Sequence, residues 1–228
     1  GRAPGSDGRT AQLLNPDRSA SERFPQQVME LQAWVSNHDF PVGHPGHGVI
    51  AQPTSDTTPA LWILGSSNYG AQLAAHLGLP YAFAYFFSDG VGVEQALEMY
   101  RSQFRPSPYL DKPYATICVS ALAADTEEDA WYQFQSRARW RMDRNRGRVG
   151  PLLSPEDAVK DVSPQEMAEM MAMRETALVG NPVQAADKLN ILAKQLELDE
   201  LVVCSWTHDP VVQLRSFELL AKAMGIVP

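Results

Sequence analysis

The segment Leu64-Gly65-Ser66-Ser67-Asn68-Tyr69-Gly70 carries the residue types best suited to holding an anion. It follows a short apolar run at residues 61–64 and precedes a stretch with helical spacing at residues 69–77. A helix N-terminus presents backbone N–H groups without intrahelical partners and a partial positive charge, so phosphate binds there readily. Two hydroxyls and two glycines at that place let an anion approach closely and add side-chain hydrogen bonds. The same residues also suit a plain capped helix after a tight turn, and the spacing alone leaves both uses open.

Other candidates carry less chemistry. His44-Pro45-Gly46-His47 offers two imidazoles without a carboxylate or cysteine nearby, a poor ligand set, so a loop and no metal site are expected. Tyr85 falls near the end of an apolar run at residues 81–87, either as a core aromatic or as a ring lining a pocket. Trp206 and His208 end the last apolar run, where they either border a pocket or, the favoured reading, cap it. The arginines from Arg137 to Arg148 form a basic run on a helix and its exit, read as a solvated face. Cys118 and Cys204 each sit in an apolar run and are expected to be reduced core residues, which suits a reducing cytoplasm.

The elements that must position these residues alternate. Strands are expected at residues 61–64, 81–87, 115–123 and 201–204. Between and around them, helices are expected at 69–77, closed by Gly78, at 93–104, and from a Thr126 cap to about residue 144. Another begins at Asn181-Pro182 with Ala185, Leu189, Leu192 and Leu196 inward, and a terminal one at Asp209-Pro210 with Leu214, Phe217, Ala221 and Met224 inward. Before the first strand, residues up to Pro16 read as loop, residues 19–35 as a helix capped at Ser21, and residues 36–59 as a long irregular excursion. Residues 146–176 read as an insertion with one Met-rich helix near 166–173. Strand-then-helix rhythm implies a parallel sheet with right-handed crossovers. Four strands apolar on both faces need helices on both sides or closure into a barrel, and a barrel takes eight strands in about 250 residues.

Composition bounds the rest. The chain has 228 residues, of which 44% are apolar and 20% charged, and its formal charge is −8. That acidity argues against nucleic acid or an anionic membrane as a partner. No apolar run approaches the roughly 20 residues of a membrane span. The opening Gly1-Arg2-Ala3-Pro4-Gly5 has no initiator Met, which suggests a chain with a piece missing.

The run Trp62-Ile-Leu-Gly-Ser-Ser-Asn-Tyr-Gly-Ala-Gln-Leu-Ala-Ala-His-Leu-Gly-Leu-Pro-Tyr-Ala-Phe-Ala resembles the fifth and sixth units of bacterial-luciferase-like flavin-dependent monooxygenases. Gly1-Arg2-Ala3-Pro4-Gly5-Ser6-Asp7 resembles the loop after that family's fourth strand. Val179-Gly180-Asn181-Pro182 is similar to its seventh helix region, and Ser216-Phe217-Glu218-Leu219 to its last helix. The resemblance covers nearly the whole chain. It implies an α/β fold: one N-terminally truncated domain over residues 1–228, a partial (β/α)8 TIM barrel carrying strands five to eight with an insertion before the last.

The resemblance also implies a site. The FMN phosphate would lie at the hydroxyls of Ser66 and Ser67 and the amides of Tyr69 and Gly70, with Arg2 adding charge and Tyr85 lining the flavin ring. The family's acidic, histidine-containing segment belongs to earlier strands, so no catalytic residue is assigned here. The implied activity uses reduced FMN and dioxygen to oxygenate a small organic substrate, in a cytoplasmic, homodimeric parent. A separate flavin reductase is expected, because no GxGxxG fingerprint occurs in the chain. Two alternatives stand beside it: hydride transfer with the deazaflavin F420 on the same fold, or a non-catalytic flavin-binding or inert fragment.

Overall fold

The structure is a computed structural model that describes residues 8–17, 19–148 and 150–226. Arg2 lies outside the described residues. The chain divides into two compact units, Gly1–Trp62 and Ile63–Pro228.

In the first unit, helices α1 (Gly8–Leu14) and α2 (Phe24–Val35) precede a stretch without helix or strand. Phe40 is its buried anchor, with the Trp34 ring edge-on at 4.9 Å and the His44 ring stacked at 4.3 Å. His47 Nδ1 meets the Phe40 carbonyl at 2.7 Å and Asp39 Oδ2 at 3.2 Å. Among the described residues, no three His, Cys, Asp or Glu converge to hold a metal ion.

The second unit runs β1 (Ile63–Gly65), α3 (Asn68–Leu77), β2 (Tyr81–Phe83), α4 (Tyr85–Ser88), α5 (Val93–Gln103), β3 (Ala115–Ala123) and α6 (Glu127–Asn145). It continues with α7 (Pro155–Ala158), α8 (Pro164–Ala172), β4 (Leu178–Gly180), α9 (Pro182–Gln195), β5 (Glu200–Cys204) and α10 (Pro210–Ala223). β1 pairs with β2, β2 with β3 and β3 with β5, all parallel. β4 adds three parallel pairs at the C-terminal end of β3, from Ala121↔Leu178 to Ala123↔Gly180. The fold is therefore α/β with a parallel sheet.

Laterally paired residues point to the same side of a sheet. The registers align Ile63 with Tyr81 and Ala115, and Phe83 with Ile117 and Leu201. This face is closed: Tyr81, Phe83, Ile117 and Val119 are fully buried. α3 and α5 cover it, with Gly70 against the Tyr81 ring and Tyr100 of α5 5.4 Å from Tyr81, centroid to centroid. The opposite face carries Leu64, Ala82, Thr116, Cys118, Ser120 and Val202. Thr116 is buried there, and Leu122 joins a second core with Phe134 and Met142 of α6 and Met170 of α8. Leu64 and Val202, however, are 62% and 40% exposed.

Helix boundaries follow local chemistry. Thr126 accepts from the Asp129 amide at 3.1 Å and starts α6 under three acidic residues, a cap worth about 1 kcal/mol. Asn181 and Gln184 form a reciprocal capping box with Pro182 in the first turn of α9.

Five expectations need correction. Residues 8–14 form α1 rather than loop: Arg9, Ala11, Gln12, Leu13 and Leu14 favour helix, and no side chain there is buried, so local preference rather than packing carries it. α2 starts at Phe24, not near residue 19, because Pro25 has no N–H and is tolerated only in a first turn; Ser21 is not its cap. The second strand stops at Phe83, because the chain turns into α4 after the Ala84 amide bonds to the Gly65 carbonyl at 3.0 Å. Leu178–Gly180, too short to register as a strand in sequence, pairs as β4. On α10 the inward residues are Ser216, Leu219 and Leu220, while Leu214 and Phe217 are exposed. The Ser216 hydroxyl accepts from the buried Ala123 amide at 2.9 Å, and that bond sets the helix's rotation.

Candidate functional site

The turn between β1 and α3 is built by two glycines. A Cβ placed on Gly70 would lie 3.7 Å from the Gly65 Cα and 3.4 Å from the Tyr81 ring, so the strand end and the helix start pack backbone to backbone. Tyr81 Oη reaches the carbonyls of Gly65 and Ser67, both at 3.5 Å, and holds the turn from the covered side. Burial pushes the Tyr81 phenol well above its ordinary range, so it acts as a neutral donor. At the other end of α3, Gly78 is left-handed (φ 61°), and a Cβ there would sit 2.5 Å from the Arg105 carbonyl oxygen. Both ends of the helix are thus fixed.

Ser67 occupies the N-cap position in extended backbone, yet its hydroxyl makes no capping hydrogen bond. Ser66 and Ser67 are exposed, Tyr69 is half-buried and Gly70 buried. The Gly70 amide donates to the Ser67 carbonyl at 3.2 Å, a long bond. The structure thus brings Ser66, Ser67, Tyr69 and Gly70 into one turn at the C-terminal end of a parallel strand, where open α/β sheets and barrels place their sites.

Tyr85 stands apart from that turn but on the same rim, in α4 just past the end of β2. Its ring covers Gly90, where a Cβ would come 2.3 Å from the ring, so only glycine fits. Burial, and then the Asp89 carboxylate, push the Tyr85 hydroxyl pKa upward. Trp206, expected as a strand cap, lies past β5 with its ring 4.7 Å from Trp140 of α6.

The basic run on α6 is where sequence reasoning fell shortest. Arg137 and Arg141 are not on a solvated face; each side chain is only 12% exposed. Arg141 clasps Asp89 with two 2.8 Å contacts and also donates to the Phe86 carbonyl. The available signal was spacing: residues 134, 137, 138 and 141 share one helical stripe, so an arginine pair flanks the apolar Phe134 and Ala138. Cys118 and Cys204 are both half-buried rather than core, and the Cys118 thiol is pushed up to about 11 by burial and by its neighbour Cys204.

The profile of the luciferase-like monooxygenase family matches residues 31–197. Over 97% of its length the chain is 39% identical to the uncharacterized protein YvbT of Bacillus subtilis (strain 168), covering 65% of that protein. Over 96% it is 38% identical to a luciferase-like monooxygenase of Escherichia coli (strain K12), covering 64% of it. The chain thus spans a little under two thirds of these relatives. The crystal structure of apo-MsnO8 superposes with a TM-score of 0.83 at 28% identity, covering 99% of this chain and 67% of that one. The FMN complex of the oxygenating constituent of 3,6-diketocamphane monooxygenase from Pseudomonas putida shares the fold, with a TM-score of 0.54 at 13% identity over 97% of this chain and 68% of that one. No helix among the described residues is long and apolar enough to cross a membrane. With a profile match over most of its length and relatives near 40% identity, the chain belongs to the luciferase-like monooxygenase family.

Proposed function

We propose that this chain is part of a cytoplasmic flavin-dependent monooxygenase that uses reduced FMN and dioxygen to oxygenate a small organic substrate. The observation that carries this reading is the exposed Ser66-Ser67 N-terminus of α3, with the Ser67 hydroxyl making no capping bond, at the C-terminal rim of parallel strands. Family membership and an FMN-bound neighbour of the same fold support it. The four paired strands β1, β2, β3 and β5 correspond in this reading to strands five to eight of a (β/α)8 barrel, with residues 146–176 as the insertion before the last.

The residues present fit a flavin phosphate. The uncommitted Ser67 hydroxyl and exposed Ser66 donate to phosphate oxygens, and the first-turn amides of Tyr69 and Gly70 add backbone donors, Gly70 sharing its long bond to Ser67. By the family resemblance, Arg2 would supply countercharge and Tyr85 would line the flavin ring. Bound reduced FMN would supply the electrons that divide dioxygen between the substrate and water. The protein's share is to orient the ring and keep water out. A separate reductase provides the reduced flavin, and the whole protein is a homodimer.

An F420-dependent oxidoreductase on the same cradle is the runner-up, since F420 also carries a phosphate. Fluorescence titration with FMN, riboflavin and F420 separates the readings. The expected order is FMN well ahead of both. Equal affinity for FMN and riboflavin would remove the phosphate site, tighter F420 binding would favour hydride transfer, and no binding of any flavin would leave an inert fragment.

A further inference from the structure

Helix α6 carries Arg137, Arg141 and Arg144 at four- and three-residue spacing, so the three guanidiniums form one stripe. At the end of α4, Asp89 is the one carboxylate among the described residues that pairs with Arg137 and Arg141, and Arg141 has already engaged both of its oxygens. Arg137 is left with a longer ion pair, 3.6 Å from Asp89 Oδ1, and lies over the Phe134 ring, 6.0 Å from its centroid. Arg144 lies over the rings of Phe87 and Trp140, 6.0 and 5.8 Å from their centroids. Two guanidiniums therefore share one carboxylate, with a third stacked on the adjacent rings, in a protein of net charge −8.

A buried guanidinium holds five N–H donors, and leaving them unpaired costs far more than an exposed charge would. Burial, opposed by Asp89 and reinforced by Arg141, lowers the Arg137 pKa, as expected for a cation drawn out of water. Arg137 also borders two hollows. One is lined by Tyr85, Asp89, Ser120 and Thr176, the other by Phe86, Phe87, Trp140 and Trp206; each encloses about 20 Å³. That is room for one water or one oxyanion head, not for a whole ligand. The second hollow has aromatic walls and reaches solvent at Phe87, which is 51% exposed. Its wall comes from segments that follow β2, β3 and β5, so it sits on the rim that carries Ser66 and Ser67.

We propose that Arg137, assisted by Arg144, is an oxyanion-binding residue that receives the carboxylate, or a carboxylate-like group, of an organic ligand whose apolar body lies against Phe87, Trp140 and Trp206. A bidentate guanidinium–carboxylate pair satisfies the donors that Asp89 cannot reach, and the rings match a hydrophobic body. As an assignment of substrate class, an organic acid rather than a neutral compound, this rests on the oxygenase reading above. As an assignment of a binding site it does not.

The test is a tryptophan-fluorescence titration of the full chain with benzoate, with its neutral isostere benzamide, and with inorganic phosphate. Benzoate is expected to bind at least about tenfold more tightly than benzamide, because charge-assisted bonds are lost with the neutral amide. Arg137→Gln should abolish that preference, leaving benzamide unchanged, and Arg137→Lys should keep part of it. Should Arg137→Gln fail to fold by circular dichroism, Arg144→Gln is expected to weaken benzoate binding within an intact fold. Equal binding of benzoate and benzamide, or undiminished benzoate binding in Arg137→Gln, overturns the proposal. Phosphate binding as tightly as benzoate overturns the organic-acid assignment. FMN titration of the same samples keeps the two claims separable: loss of FMN binding with benzoate selectivity intact refutes only the oxygenase reading, and the reverse refutes only this one.

Discussion

The two faces of the parallel sheet meet different surroundings. On one, Tyr81, Phe83, Ile117 and Val119 lie fully buried on the side covered by α3 and α5. On the other, Leu64 and Val202 stand 62% and 40% exposed, with Cys118 and Ser120 half-buried between them. A parallel strand is apolar on both sides because both are normally covered. The covered face therefore carries the stability and fixes the α3 turn. Away from Thr116 and Leu122, which are buried, the open face adds little burial within these residues.

That contrast is broken most directly by truncating one residue on each side. Ile117→Ala removes a fully buried side chain and should cost about 2–5 kcal/mol. Val202→Ala should stay within about 0.5 kcal/mol, the usual range for surface changes. Urea unfolding of both variants measures the difference, and equal costs would erase the distinction between the faces. A smaller effect sharpens the picture of the covered side. Tyr100 Oη donates to the Leu79 carbonyl at 2.9 Å and accepts from the Tyr114 amide at 3.0 Å, tying α5 to the starts of β2 and β3. Tyr100→Phe keeps the ring and loses both bonds, so a loss of about 1–3 kcal/mol is expected in the same assay. A loss within error would mean that packing alone holds α5.

On the open face the expected effect is chemical rather than energetic. With its thiol raised from 9.0 to about 11, Cys118 holds little thiolate at neutral pH despite its partial exposure. Alkylation by iodoacetamide at pH 8 should run about a hundredfold slower than for free cysteine and accelerate up to about pH 11. Mass spectrometry locates the adduct; modification at the free-thiol rate would show that Cys118 is less shielded than its surroundings indicate.

The parallel order of the strands was legible because each is a short apolar run followed by a capped, helix-spaced segment, with Thr126, Asn181-Pro182 and Asp209-Pro210 marking the starts. The residues of the α3 turn were legible for the same local reason. What the sequence did not disclose depends on partners far along the chain. The rotation of α10 rests on a bond between Ser216 and Ala123. The inward placement of Arg137 and Arg141 depends on Asp89, about fifty residues away. β4 exists only because the end of β3 is there to pair with it. Residues 8–14 failed differently: a flanking loop signal concealed a short helix that buries nothing.

The central claim is that the α3 turn is a phosphate cradle, and replacing Ser66 and Ser67 together by alanine tests it most directly. The account predicts that FMN binding, followed by flavin fluorescence in a chain that binds FMN, weakens about a hundredfold or more. Two charge-assisted hydrogen bonds at about 1.5 kcal/mol each would disappear. Riboflavin, which has no phosphate, should bind the variant and the parent chain alike. FMN binding the double variant as tightly as the parent would contradict the account and place the phosphate elsewhere.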